Sequence, residues 1–286
     1  MNREQQLAHE ARVRDRQAKV ALAAGILLVL SFALQAVGPH AKVSEFTVEL
    51  LNDSHRSVLN ILGAVLNAAG YVALAWTVSF LQGCSRARDP ERARGWVATT
   101  AWVGAGMVAA ASVILAIVVA VKEHQFATTG AQTYAQANSL MGTPLLTVLQ
   151  VVALLGNFVL ALPLVLMSLN ALQTGLLTKF LGYLGVFAGF LIAFPIFQIP
   201  IVQAYWLAAV AYLLSGRWPS GVPPAWSTGR SEPWPSSAET RARRAAGAGA
   251  KPGPRPAPIP EPQPAGGPAP GRTRATTPKR KRKRRS

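Results

Sequence analysis

Six apolar runs limit what this 286-residue chain can fold into more than any other feature of it. They cover roughly residues 20–37, 57–81, 96–121, 144–169, 180–197 and 200–214, and no Lys, Arg, Asp, Glu or His interrupts them. A hydrocarbon core about 30 Å thick takes about 20 helical residues to cross. No water reaches the backbone there, so each run must satisfy its own peptide groups as a helix. The sequence therefore predicts an all-α, polytopic membrane helix bundle with six transmembrane helices. The last two runs are short and meet at "FPIFQIP", between Pro195 and Pro200. Two tilted spans or a hairpin that only partly enters the bilayer both fit; two spans are the expectation. Either way the chain returns to the side it left.

Three segments follow: a charged leader at 1–19, a six-helix transmembrane domain at 20–214, and a disordered, Pro-rich, polybasic tail at 215–286. The leader is long and no small-x-small cleavage site follows run one, so a retained anchor is expected rather than a signal peptide. Half the residues are hydrophobic, yet the formal charge is +17. From Arg217 onward there are 16 Lys or Arg against three acids, so most of that charge belongs to the tail.

Lys and Arg in short flanking segments set orientation. Counted in alternate segments before the tail, they total ten on the side of the N-terminus and three on the other. Both termini are expected to be cytoplasmic. Abundant Ala, Gly, Arg and Pro point to a GC-rich bacterial genome and hence to a bacterial cytoplasmic (inner) membrane.

Past Ser215 the sequence turns rich in Pro, Ser and Gly, with Trp218, Trp226 and Trp234 evenly spaced. They fit either chance residues in a linker or an interfacial anchor, since Trp favours the headgroup zone. Pro then fills every second position from Pro252 to Pro264, which favours an extended spacer. The spacer leads to Lys279, Arg280, Lys281, Arg282, Lys283, Arg284 and Arg285. Each such cation near an anionic surface contributes about 1 kcal/mol, and counterion release would also bind nucleic acid without sequence preference. Anionic lipid headgroups are the expected partner. An acidic protein, nucleic acid or no partner at all remain open.

Within the bundle, Asn60 and Asn67 in run two, and Gln150 and Asn157 in run four, are each seven residues apart and so share a helix face. Gly63 lies near that side of run two, and Gly185 and Gly189 form a GxxxG pair in run five. Amides and small residues of this kind are expected to join helices; a polar path for a small solute is the sharper alternative. Ion-coupled transport usually needs an ionisable group at depth, and the runs carry none.

The outer loops hold His40, Glu45, Glu49, Asp53, His55, Glu123 and His124. Such residues can bind zinc or transfer protons. No metal-ligand or nucleophile motif accompanies them, so solvated side chains are expected. The expectation is no cofactor, no metal and no enzyme activity. The segment around Phe46, Leu50 and Leu51 reads as a short surface helix facing the bilayer. Cys84 is the only cysteine, which excludes an intrachain disulfide.

Before run five the chain reads Gly-Leu-Leu at 175–177, Lys179, then Leu-Gly-Tyr-Leu-Gly at 181–185. With the six runs, this resembles a class of six-helix bacterial integral membrane proteins grouped as a domain of unknown function. The resemblance covers roughly residues 18–215 and implies architecture only. The leading functional expectation is a non-enzymatic scaffold or accessory protein whose basic tail engages anionic lipid or an acidic partner. The alternative is a small-solute permease or channel using the amide-lined seam.

Overall fold

The computed structural model describes residues 3–36, 46–194, 200–219, 221–232 and 234. Among the described residues the regular structure is entirely helical: α1 (Arg3–Ala36), α2 (Phe46–Ser54), α3 (Ser57–Arg88), α4 (Trp96–Thr128), α5 (Tyr134–Met141), α6 (Pro144–Gln173), α7 (Lys179–Ala193), α8 (Ile201–Leu214) and α9 (Pro224–Thr228). The helices α1, α3, α4 and α6 are long and apolar enough to cross a membrane. Each has 30 to 34 residues, which at the helical rise is about 45–51 Å. That exceeds a hydrocarbon core of about 30 Å, so their polar ends extend beyond it.

The expected fifth and sixth spans are present as apolar helices but are shorter. The 15 residues of α7 and 14 of α8 correspond to about 21–22 Å. Residues 195–199 of the joint between them lie outside the described residues.

Neighbouring helices meet in the order α1, α3, α4, α6, α7, α8 and back to α1, which closes a ring; α3 also touches α6. Close approach is possible because glycines sit where helices cross. A Cβ on Gly104 of α4 would lie 2.5 Å from the Leu160 backbone nitrogen of α6. On Gly70 of α3 it would lie 2.8 Å from Leu28 of α1, and on Gly189 of α7, 2.7 Å from Val165 of α6. Leu74, Val78, Leu160, Leu164, Leu207 and Trp206 are fully buried in one cluster. Large apolar side chains such as Ile26, Trp102, Leu155 and Phe187 are exposed on the outward faces, as lipid contact requires.

The Gly-Leu-Leu stretch has a clear physical role. Gly175 takes a left-handed φ of 75°, the conformation glycine tolerates best. The turn lets Leu176 and Leu177 enter the core fully buried, their N–H groups donating to the Ala171 carbonyl. Thr178 then caps α7, its hydroxyl oxygen accepting from the Leu181 N–H at 3.3 Å.

Two expectations are corrected here. Leu50 of α2 does not face the bilayer: it is buried against Phe126 of α4 and Ala137 of α5. The chain also does not become a disordered tail at Ser215. Residues 216–219 and 221–232 are described, α9 forms within them, and Trp226 is only 8% exposed. Residues 235–286 lie outside the described residues.

Candidate functional site

Call the end of the bundle where α1 begins the N-terminal end, and its opposite the far end. At the far end α1, α3 and α4 part around a polar cleft, with α2 across it. One cavity of about 400 Å³ is lined by Gln35 of α1, Asn60 and Asn67 of α3, Ser112 and Glu123 of α4, and Glu49, Asp53 and Arg56 from α2 and its junction with α3. Gln35 and Asn67 also line a neighbouring cavity of about 480 Å³, together with Ser31, Tyr71 and Pro200. The second cavity follows from the shortness of α8. Gly25 of α1 packs on the Ala204 carbonyl, so α8 begins near Leu28, and the last two turns of α1 continue beyond it.

Charge in the cleft is unbalanced. Glu123 is only 3% exposed and, among the described residues, has neither a hydrogen bond nor an ion pair. A second carboxylate, Asp53, lines the same cavity. Arg56 is the one cation on the lining among the described residues, and one of its nitrogens donates to the Leu34 carbonyl at 3.2 Å. Gln35 donates to the hydroxyl and carbonyl oxygens of Ser31 at 3.0 and 3.2 Å, which fixes its orientation.

A different construction closes the N-terminal end. Arg88, the last residue of α3, has a fully buried side chain. Its Nη1 and Nη2 donate to the two carboxylate oxygens of Glu10 at 3.1 and 2.7 Å. Nε and Nη2 also donate to the Ala225 carbonyl at 3.0 and 2.9 Å, and Nη1 to the Cys84 carbonyl at 2.8 Å. All five guanidinium N–H donors thus have a partner. The Trp226 ring lies 5.3 Å from the guanidinium carbon and stacks on Phe80 with an interplanar angle of 17°. Its indole N–H donates to the Leu176 carbonyl at 3.1 Å. Helices α1, α3 and α9 and the Gly175 turn are thereby fastened together. Close by, Asn170 donates to Gln82 at 3.2 Å, and Gln82 donates to the Arg94 carbonyl at 2.9 Å.

The expected amide seam divides. Asn60 and Asn67 share the far-end cleft, whereas Gln150 is exposed and Asn157 half-buried, and neither lines it. Contact between α3 and α6 includes the pair Gln82–Asn170 instead. Gly63 faces α1, where a Cβ would meet Gln35 Cγ at 3.1 Å. Gly185 faces Ser168 and the Trp206 indole, and Gly189 faces Val165. The seven cations from Lys279 to Arg285 lie outside the described residues, as do His40 and Glu45. His55 and His124 are exposed, and among the described residues no group of three His, Cys, Asp or Glu is placed to hold a metal. Cys84 is buried.

Sequence reasoning missed Gln35 and the Arg88–Glu10 pair; it expected Glu123 to be a solvated loop residue and Trp226 a linker or interfacial residue, whereas both are buried. One signal was available: Lys122, Glu123 and His124 interrupt the hydropathy of α4 without breaking its helix. No protein-family model, curated protein or solved structure matches this chain.

Proposed function

We propose that this chain is a six-span protein of the bacterial cytoplasmic membrane, with both termini cytoplasmic. Its bundle acts as a non-enzymatic anchor for a basic tail that engages anionic lipid. The carrying observation is the fastening of Trp226 and Ala225 to Arg88. A loosely tethered tail needs no such root. A tail whose cations must act at a fixed place does. Ten of the thirteen Lys and Arg counted before the tail fall in segments on the α1 side, which supports a cytoplasmic N-terminal end. Both α7 and α8 complete the ring between α6 and α1, which supports counting them as spans.

The test is vesicle tethering. Full-length protein in neutral phosphatidylcholine proteoliposomes should cluster added phosphatidylglycerol vesicles at low salt and release them as the Debye length contracts from about 10 Å at 0.1 M. A chain ending at Pro235, which keeps Trp226, should insert normally and cluster nothing. Equal clustering by both chains sinks the reading. Clustering that RNA or an acidic protein abolishes at matched ionic strength points to that partner class in place of lipid.

The permease alternative draws support from Asn60 and Asn67, which open on the far-end cleft. It requires solute flux in proteoliposomes that Asn157→Leu reduces. Asn157 lies away from that cleft, so the anchor reading expects no such loss.

A further inference from the structure

We propose that the far-end cleft is a binding site for a small organic cation, an aliphatic amine with a second hydrogen-bonding group. The carboxylates of Glu123 and Asp53 would hold the ammonium, and Asn60 and Asn67 the rest of the molecule.

Glu123 carries most of this reading. A carboxylate with so little exposure normally finds a cation or several hydrogen-bond donors, because burying it alone is costly. This one faces a cavity and a second carboxylate. The bundle satisfies the same demand fully at Arg88, where every donor has a partner. The ion pair at Arg88 is complete within the fold, whereas the Glu123 carboxyl faces a cavity and has no partner among the described residues, which leaves it open to an external one.

Asn60 and Asn67 project from an otherwise apolar face of α3, and their side chains make no hydrogen bond among the described residues. Their donors and acceptors remain free for a solute. They also belong to a different wall of the cleft from the carboxylates.

Charge and size narrow the ligand further. Among the described residues Glu49, Asp53 and Glu123 oppose Arg56 on the lining, so a cation is favoured over an anion or a zwitterion. A bare divalent metal needs oxygen ligands converging within about 2.0–2.6 Å; no suitable group occurs among the described residues, and a space of about 400 Å³ suits an organic molecule. Towards the N-terminal end the ring interior is filled by Leu74, Val78, Leu160, Leu164 and Trp206, all fully buried. The cleft therefore does not continue along the bundle axis towards the N-terminal end, which suits holding a ligand rather than conducting it.

The experiment is calorimetric titration of the full-length protein in nanodiscs with 1,4-diaminobutane, against 1,4-butanediol and magnesium chloride. Saturable one-to-one binding of the diamine, with no heat from the diol, is expected. Glu123→Gln should weaken diamine binding at least tenfold and Asn67→Leu several-fold. Because the glutamine removes a buried charge and keeps the shape, ligand-free Glu123→Gln should also melt at a higher temperature than the parent. That pairing of gained stability with lost binding separates a site residue from a structural one. The proposal is overturned if the diamine gives no saturable heat, if the diol or magnesium binds as well, or if Glu123→Gln binds the diamine unchanged. Because the tail plays no part in this titration, its outcome is independent of the vesicle test.

Discussion

At the scale of single residues, the described part of the molecule treats buried ionisable groups in opposite ways. Arg88 has its carboxylate and its three carbonyl bonds within the fold. Breaking such a pair from one side is costly because it strands the other charge, typically by about 3–5 kcal/mol. Arg88→Met alone should therefore destabilise the bundle by about that amount in a denaturant series in detergent. Adding Glu10→Leu should recover much of the loss, since an apolar pair can replace a buried ion pair. The Ala225 carbonyl would still lack its donors, which leaves a deficit of about 1–3 kcal/mol. Additive losses in the double variant would show that the pair is not coupled.

At the scale of elements, the ring depends on glycine at helix crossings, and the glycines fall into two kinds. Gly104 has no room for a methyl group against Leu160, whereas a Cβ on Gly106, one half-turn away, meets nothing within 4 Å. Gly104→Ala should cost about 1–3 kcal/mol through overpacking. Gly106→Ala should gain about 0.5–1 kcal/mol by removing a flexible residue from a helix interior. Thermal melts of the two variants in the same detergent check the contrast, and equal shifts would refute the α4–α6 packing described.

The helices themselves were legible because hydrocarbon selects for long, uncharged runs, a signal that needs no knowledge of neighbours. What joins them was not. Glu10, Arg88 and Trp226 lie in three segments that each read locally as solvated, and only their meeting across the fold makes them a core. Glu123 was hidden for a related reason. A charged triplet at the end of an apolar run looks like the edge of a span, yet α4 continues through it to Thr128. Asn60 and Asn67 were legible as one face, but periodicity cannot say which helix that face meets, and Gln150 and Asn157 turned out to be elsewhere.

At the scale of the whole molecule, the two ends differ in construction. The N-terminal end is fastened by a saturated ion pair and a buried Trp, and the root of the basic tail is part of it. The far end opens into a cleft whose described lining residues carry more acids than bases. In the proposed arrangement these ends face opposite sides of one membrane, with six crossings between the termini. Single cysteines test it most directly, in a Cys84→Ala background: Asp15→Cys in α1, Ser139→Cys in α5 and Ser286→Cys at the end of the chain. A membrane-impermeant maleimide applied to spheroplasts should label only Ser139→Cys, and all three should react once the membrane is dissolved. Labelling of Ser286→Cys together with Ser139→Cys, while Asp15→Cys stays protected, would mean an odd number of crossings and contradict the account.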